Sequence, residues 1–243
     1  MAKPVRQARA RIVEASRRDS RPDWVIKVGG SLGAGPAALR RLMETLGRAA
    51  RRQRLVVVPG GGSFADEVRR ADRGFGLGDS AAHWMAILAM DQYGHLLAEL
   101  APGAAVVRSR RDIERGRLNI LAPSAWFRRA DPLPHSWDVT SDSIAAWVAR
   151  AVRATRLMLV KDVDGFLAPG RGTGRRERLV RQVALGALSG VVDPYFARAL
   201  HPSTACWVVR GTRPDRVARL LVTGQTYGTE VVAGGRGPKR RRN

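Results

Sequence analysis

Short apolar runs alternate with longer amphipathic segments through most of the 243-residue chain. Apolar residues recur at helical spacing between Pro36 and Arg52, which predicts a helix that returns the chain to a parallel strand. Ser63–Ala71 and Ser80–Leu100 predict further helices. The short runs predict strands at Trp24–Val28, Leu55–Val58, Ala104–Val107, Leu118–Leu121, Leu157–Val160, Trp207–Val209 and Gly228–Val232. This alternation predicts an α/β fold, as one large domain or as two closely joined lobes.

The first apolar run contains a lysine, Lys27, and is followed by Gly29, Gly30 and Ser31. An ammonium group is rarely buried unless an anion meets it, and glycines let backbone N–H groups approach a phosphate closely. One interpretation is therefore a buried strand that delivers Lys27 to a phosphate. A surface strand with a solvated lysine fits the same residues, and this stretch alone does not separate the two.

A second apolar run ends in three consecutive glycines, Gly60, Gly61 and Gly62, ahead of a helical segment. Three glycines in a row cost backbone entropy, so this junction indicates positive φ angles or close approach of a ligand. The N-terminus of the following helix favours an anion at the same place. The spacing matches neither a Walker A loop nor a dinucleotide fingerprint, so the loop predicts a phosphate site of another type.

Two acidic segments supply further candidate residues. Ser141 and Asp142 precede a helical segment, where capping alone explains them, although Asp138 and Asp142 can instead face a reaction. Charge density also rises abruptly at the end of the strand Leu157–Val160, at Lys161, Asp162, Asp164 and Gly165. Because ligands collect at the carboxyl ends of parallel strands, this cluster fits the handling of a nucleotide and Mg²⁺. A solvated turn is the alternative.

Four of these segments resemble the motifs of the amino acid kinase superfamily, and they stand in the family's order. They are Lys27–Ser31, Pro59–Gly62, Asp142–Ala146 and Lys161–Gly165. The resemblance covers most of the chain and implies a three-layer αβα sandwich with a central, mostly parallel sheet. We expect this single domain at residues 22–233, with an acceptor-binding N-lobe at about 22–153 and a nucleotide-binding C-lobe at about 154–233.

The resemblance also implies the chemistry, which is phosphoryl transfer from ATP in the presence of Mg²⁺. It makes Lys27 and Asp142 catalytic, with Asp142 holding the lysine side chains in register. It places the nucleotide against Gly29, Gly30, Ser31, Lys161, Asp162, Asp164 and Gly165, and the acceptor against Gly60, Gly61 and Gly62. Many family members carry a lysine or threonine directly before Val-Asp-Gly, whereas here Asp162 takes that place. No residue is assigned as a direct metal ligand.

The segments Gly78–Gly94 and Trp137–Ala145 resemble the methanofuran-biosynthesis branch of the superfamily, the kinases of [5-(aminomethyl)furan-3-yl]methyl phosphate. His83 is similar in position to the acceptor-phosphate histidine of isopentenyl phosphate kinases, which makes it a catalytic candidate. Without that resemblance, a lone histidine in an apolar helix is a core residue. The ammonium of the furan acceptor needs a carboxylate, and its ring suits an aromatic neighbour. The candidate carboxylates are Asp79, Asp91 and Asp138, and the candidate aromatic residues are Trp84, Tyr93 and Trp137.

Three functions remain open at this point. The first is a phosphomonoester kinase of the methanofuran type, and the second is another kinase of the superfamily, with uridylate or isopentenyl phosphate as acceptor. The third is a non-catalytic protein that binds a nucleotide or an oxyanion. The presence of Lys27, Asp142 and the glycines argues against the third.

The formal net charge of +22 implies affinity for anions. Arginine dominates this charge, and a high-GC genome produces the same bias, so we expect a small phosphorylated substrate and no nucleic acid. The single cysteine, Cys206, excludes an intramolecular disulfide and fits a reducing cytoplasm. No apolar run approaches the ~18 residues of a membrane-spanning helix, so we expect no membrane partner.

The two ends of the chain and one helix complete the sequence predictions. Residues 1–21 predict a flexible basic arm, and residues 234–243 predict a disordered basic tail. The first half of the helix Ser80–Leu100 is apolar nearly all round, which places it at the centre of a lobe or at a subunit interface. We therefore expect a homo-oligomer.

Overall fold

An eight-stranded sheet forms the centre of the protein in a computed structural model that describes residues 21–168, 177–188 and 190–232. The expected basic tail, and all but the last residue of the expected basic arm, lie outside the described residues. The strands are β1 (Trp24–Val28), β2 (Leu55–Pro59), β3 (Ala105–Val107), β4 (Asn119–Leu121), β5 (Arg156–Lys161), β6 (Leu167–Ala168), β7 (Arg178–Leu179), β8 (Gln182–Ala184), β9 (Ala205–Arg210) and β10 (Thr229–Val232). The helices are α1 (Pro36–Ala50), α2 (Gly62–Phe75), α3 (Asp79–Glu99), α4 (Ser124–Ala130), α5 (Ser141–Ala151), α6 (Phe196–Ala199) and α7 (Pro214–Thr223).

The strand order of the central sheet is β3-β4-β2-β1-β5-β9-β10-β8. Every neighbouring pair in it is parallel except β9 with β10, which is antiparallel. The first strand lies between β2 and β5, with Lys27 in register with Val58 and Leu159. Because the three strands are parallel, their carboxyl ends meet at one edge of the sheet, where ligands collect in such folds.

Helices cover both faces of the sheet, which confirms the predicted three-layer αβα architecture. Trp24, Ile26 and Val28 of the first strand face the core that α1 and α7 cover. Val25 faces the opposite core, which contains the buried face of α5. Since side chains alternate along a strand, Lys27 points to the same side as Val25. The alternation of side chains along the strand therefore directs the lysine toward α5.

Several elements differ from those predicted. The second helix continues to Phe75, so Gly74 is helical, and the left-handed conformation of Gly76 ends the helix. The fourth helix and the β6–β7 hairpin were not predicted, because both are too short to show a clear apolar period. The sequence predicts that Asp193–Phe196 opens a helix, and the helix observed there has only four residues, Phe196–Ala199. None of the described helices is long and apolar enough to cross a membrane, and the cytoplasmic location stays a prediction.

The two glycine loops pack directly on one another. A Cβ atom added to Gly30 would lie 2.3 Å from the backbone nitrogen of Gly62, and one added to Gly60 would lie 2.5 Å from the backbone nitrogen of Gly30. Both contacts are with main-chain atoms, which cannot rotate away. These glycines therefore let two loops meet, a requirement that exists before any ligand binds.

We predict that Gly30→Ala destabilises the protein by about 1–3 kcal/mol, the range of an overpacked core, because its Cβ collides with the Gly62 main chain. The matched control is Gly47→Ala in α1, where an added Cβ meets no atom within 4 Å. This control gains about 0.5–1 kcal/mol, because alanine restricts the unfolded chain and favours the helix. Urea-unfolding midpoints measure both changes, and equal effects in the two variants would contradict the loop contact.

Candidate active site

A cleft opens at the carboxyl edge of β1 and β5. Its walls come from the ends of β1 and β5, from the first turns of α2 and α5, and from the loop at Gly190 and Val191. The lining residues include Lys27, Gly29, Gly30, Ser31, Gly61, Gly62, Arg69, Thr140, Ser141, Asp142, Lys161, Asp162, Val163, Gly190 and Val191. The structure thus brings together residues from all four sequence motifs, which are far apart in the chain.

One carboxylate at the base of this cleft joins two lysines. Asp142 Oδ1 lies 3.0 Å from Lys27 Nζ, and Asp142 Oδ2 lies 2.5 Å from Lys161 Nζ. The side chains of Asp142 and Lys27 are 4% and 8% exposed, so both charges are almost fully removed from water. Lys161 is more accessible, with 16% of its side chain exposed. The group carries one net positive charge at the place where an anion would enter.

The pKa values of the group follow from burial and from these contacts. Burial alone would raise the pKa of Asp142, but the two ammonium groups, Lys27 first, more than offset it and lower the pKa of Asp142. The pKa of Lys161 is lowered, first by burial and then by repulsion from Lys27, against the attraction of Asp142. The aspartate is therefore ionised at neutral pH, and an arriving anion would favour the charged form of Lys161.

The lysine content of the chain is a signal that the sequence predictions missed. The chain has 43 basic residues, but the only lysines are Lys3, Lys27, Lys161 and Lys239. Both of those that lie in described residues contact the same carboxylate. A compact ammonium fits two donors around one carboxylate, whereas the planar guanidinium has a fixed fork geometry. In a chain that uses arginine at most basic positions, the two lysines of the motifs, Lys27 and Lys161, therefore mark positions that suit an ammonium.

The start of α5 explains how Asp142 reaches the lysines. The residue that caps the helix is Thr140, whose hydroxyl accepts from the N–H of Asp142 at 3.4 Å. Asp142 lies in the first turn, with its carboxylate turned to the lysines. The interpretation of Asp142 as a capping residue is therefore wrong, because the cap is two positions earlier.

The glycines at the cleft divide into two groups. The N–H groups of Gly29 and Gly60 donate to Val160 and Val28 carbonyl oxygens at 2.9 and 2.8 Å, so neither is available to the expected phosphate. Gly30 and Gly62 begin a 3₁₀ turn and α2, respectively, and both line the cleft. The first N–H groups of a helix have no intrahelical partner and attract anions. Two such termini face this cleft.

A second cavity adjoins the cleft and has an apolar floor. The two cavities share part of their walls, namely Gly61, Ala65, Arg69, Thr140 and Ser141. The remaining wall combines an apolar floor with a few polar side chains, which suits a small organic ligand. The floor is formed by Ala82, Ala86, Ile87, Met90, Val139 and Ile144, and the polar or aromatic side chains are Asp79, His83, Ser136 and Trp137.

Arg69 lies where the two cavities meet, and the sequence analysis did not identify it. Its guanidinium donates to Asp66 at 2.9 Å and lies 5.0 Å from the centre of the Trp137 ring. The indole N–H of Trp137 donates in turn to Asp72 at 2.7 Å. These contacts hold a cation at the junction. Gly61, Ala65 and Arg69 are spaced four residues apart and therefore lie on one side of the helix. This spacing is the signal by which the sequence could have identified Arg69.

His83 lies in the wall of the second cavity and is buried. Its ring stacks on that of His135 with centroids 4.1 Å apart, and His135 in turn contacts Ser80 at 2.8 Å and Asp131 at 2.9 Å. Burial, followed by the neighbouring His135, lowers the pKa of His83 to about 4. At neutral pH this imidazole is uncharged. It can donate a hydrogen bond to the acceptor substrate, but it cannot balance the charge of a phosphate.

A metal shared by these histidines does not fit their geometry. The ligand atoms of His83, Asp131 and His135 all lie within 4.8 Å of one another. However, the two imidazole planes are only 19° apart and face each other. A metal lies in the plane of each imidazole that binds it, and nearly parallel stacked planes do not meet near their edges. We therefore treat the cluster as part of the cavity wall.

The remaining predicted residues fall at different distances from the two cavities. Asp162 lines the cleft and Asp79 lines the second cavity. Asp91 instead holds the hydroxyl and N–H of Ser124. Asp138 is exposed and belongs to the lining of neither cavity.

Two residues of the predicted nucleotide site have contacts inside the fold. Asp164 pairs with Arg210 at 3.1 Å and with Arg216. Gly165 has a φ of +145°, and an added Cβ would lie 2.3 Å from Thr229 Oγ1. Neither lines the cleft. Asp164 is therefore engaged in ion pairs and Gly165 in close packing, and neither residue faces the phosphate region of the cleft.

The profile of the amino acid kinase family matches residues 24–188. That match covers most of the chain, and the chain belongs to the amino acid kinase family. It is a phosphotransferase, and ATP is its phosphoryl donor.

Individual relatives agree with this assignment. The chain is 28% identical over 211 residues to [5-(aminomethyl)furan-3-yl]methyl phosphate kinase of Methanocaldococcus jannaschii, covering 86% of this chain and 97% of the relative. It is 30% identical over 224 residues to uridylate kinase of Methanothrix thermoacetophila, covering 85% and 98%. The crystal structure of uridylate kinase from Archaeoglobus fulgidus superimposes with a TM-score of 0.67 at 20% identity, covering 86% of this chain and 100% of that chain.

Proposed function

We propose that the protein transfers the γ-phosphoryl group of ATP to the phosphate of a small phosphomonoester. The observation that carries the proposal is Arg69, a fixed cation at the junction between the lysine cleft and a separate, mostly apolar cavity. A phosphate held at this junction would face the phosphoryl group held by the lysines. The family supplies the donor, and the second cavity supplies the place for the acceptor.

In the proposed reaction the protein positions the phosphoryl group and balances its charge, because phosphoryl transfer requires little covalent chemistry from the enzyme. Lys27 and Lys161 meet the equatorial oxygens, and Asp142 keeps the two ammonium groups in place. The free N–H groups at Gly30 and Gly62 add donors from the other wall. A general base is unnecessary, because the acceptor phosphate is already ionised near neutral pH.

The cleft also suits Mg²⁺. This cation is commonly held by one or two carboxylates together with substrate phosphates and water. Two exposed carboxylates line the cleft, Asp66 and Asp162, and Asp66 pairs with Arg69, so Asp162 is the carboxylate that remains for this role. Asp142 is not available, since both of its oxygens face lysines. Mg²⁺ would neutralise phosphate charge that the protein cations leave uncompensated.

For the acceptor we propose [5-(aminomethyl)furan-3-yl]methyl phosphate, which the relative from Methanocaldococcus jannaschii takes by its name. The apolar floor of the second cavity suits a furan ring, and Trp137 offers an aromatic wall. Of the three carboxylates considered for the ammonium, only Asp79 lines the cavity. His83, as an uncharged donor, completes the proposed acceptor site.

Uridylate is the second candidate. It is supported by the 30% identity to a uridylate kinase and by the superposition on another. Uridylate carries no cation, so Asp79 would remain without a charged partner in that complex. This difference makes the furan acceptor the better fit.

We also propose that the protein is a homo-oligomer formed through α3. Met85, Leu88 and Leu96 lie on its outer side and are 37%, 42% and 40% exposed. These residues recur at helical spacing, and their burial against a second copy would remove an apolar stripe from water. Analytical ultracentrifugation tests this proposal. We expect the wild-type protein to sediment as a species heavier than one chain and the Leu88→Glu protein to sediment as a single chain. A single chain in both proteins would refute the proposal.

The acceptor is tested by ADP release from Mg-ATP with the furan phosphate, uridylate or isopentenyl phosphate as acceptor. We expect turnover with the furan phosphate and little with the others. Lys27→Arg keeps the charge but loses the compact ammonium, so it should remove turnover and thereby exclude a contaminating ATPase. Turnover of uridylate or isopentenyl phosphate alone would overturn the proposed acceptor. No turnover with any of them would favour a nucleotide- or oxyanion-binding protein.

We further predict that Asp79→Asn raises the KM for the furan phosphate by about tenfold or more, because an ammonium hydrogen-bonded to a charged group loses about 1.5–3 kcal/mol when the charge is removed. The KM for ATP should stay unchanged. Asp138→Asn is the matched control, since Asp138 is exposed and outside both cavities. Steady-state kinetics in both substrates measure the effect. An equal rise in the two variants would remove Asp79 from acceptor recognition.

A further inference from the structure

Asp193 is a buried carboxylate outside the lining of both cavities, and it is 8% exposed. One of its oxygens accepts from the N–H and the hydroxyl of Thr140, at 3.0 and 2.8 Å, and from the N–H of Ser143 at 3.0 Å. The other oxygen accepts from the hydroxyl of Ser143. These four hydrogen bonds satisfy both oxygens of a group that is costly to bury unpaired.

The four bonds all reach the start of α5, on either side of Asp142. An anion at a helix N-terminus is favoured by the free N–H groups and by the helix dipole. Here that anion comes from a segment 50 residues later in the chain. Asp193 therefore ties the first turn of α5, which carries Asp142, to the loop that precedes α6.

The same loop also contacts one of the two lysines. The carbonyl oxygen of Val191 accepts from Lys161 Nζ at 2.5 Å, while that ammonium also donates to Asp142. Two acceptors thus fix the direction of the Lys161 side chain, one from α5 and one from the loop. The loop from Val191 to Asp193 holds Asp142 through its helix and holds Lys161 directly.

From these contacts we propose that Asp193 is a positioning residue for phosphoryl transfer, which acts by holding Asp142 and Lys161 in their mutual geometry. It lines neither cavity, so it has no direct role in binding either substrate. The proposal depends on the family's phosphotransferase activity but on no particular acceptor.

The charges around Lys161 decide what the loss of Asp193 does. Lys27 of β1 repels it, while Asp142 of α5 and Asp193 of the loop attract it. Removal of the Asp193 charge therefore lowers the pKa of Lys161 further. This part of the shift acts through space. The fall in kcat in Asp193→Asn, and a Lys161 shift in Ser143→Ala, which keeps the Asp193 charge, are the readouts that a merely structural residue would leave unchanged.

The experiment compares Asp193→Asn with the wild-type protein, both labelled with ¹³C-lysine. Because the chain has four lysines, the NMR spectrum is simple, and Lys161→Arg assigns the Lys161 signal. We expect the Lys161 titration midpoint to fall in Asp193→Asn. We also expect kcat to fall about tenfold or more, as small displacements of reacting groups do, while the KM for ATP changes little.

Asn119→Ala is the matched control. Asn119 is fully buried and also makes four hydrogen bonds, to Leu55, Arg117 and twice to Glu114, on the far side of β2 from β1. It should lose stability without moving kcat or the Lys161 titration. If Asp193→Asn behaves like this control, with lower stability alone, Asp193 is structural and the proposal fails.

The Lys161 titration requires no acceptor. In Ser143→Ala, which keeps the Asp193 charge, it decides the role of Asp193 even if no acceptor tested is turned over. If Asp193→Asn does not fold, Ser143→Ala removes a single hydrogen bond to the same carboxylate. A folded Ser143→Ala protein with wild-type kcat and an unshifted Lys161 titration would then refute the proposal.

Discussion

The protein depends on one buried arrangement of charge, in which Asp142 lies between Lys27 and Lys161. Removing three ionised groups from water costs several kcal/mol per ion, and attraction within the group offsets this cost only when the geometry is good. These three groups carry one net positive charge, and Asp193 attracts Lys161 without forming an ion pair with it. A site of this type is not explained by stability alone, but it is explained by an anionic ligand that completes the balance of charge.

Ordinary features of the α/β fold produce this arrangement. Parallel pairing brings the ends of β1 and β5 to one edge, and strand alternation turns Lys27 toward the face that α5 covers. The cap at Thr140 starts the helix at Ser141, so Asp142 lies in the first turn, next to the lysines. No strained side chain is needed, because the position of each charge follows from the element that carries it.

The neighbouring cavity has a different balance of polarity. Its floor is apolar, His83 is held neutral by burial, and the nearest fixed cation is Arg69 at the junction with the cleft. Charge is therefore concentrated where the proposed phosphates would meet, while the apolar floor suits the uncharged ring of the proposed acceptor. Because phosphoryl transfer and acceptor recognition would use separate regions, the acceptor could change without any change to the two lysines.

The sequence by itself determined the layered α/β fold, the glycine loops and the candidates Lys27 and Asp142, because strand and helix periodicity and short motifs are local. Only the tertiary structure showed that Arg69 joins the two cavities, that Gly29 and Gly60 use their N–H groups inside the fold, and that Asp138 lies apart from Asp79. It also decided the contacts of Asp193, whose carboxylate accepts four hydrogen bonds at the start of α5. Such contacts join residues about 50 positions apart, and no local pattern specifies which hydrogen-bond donors a buried carboxylate will meet.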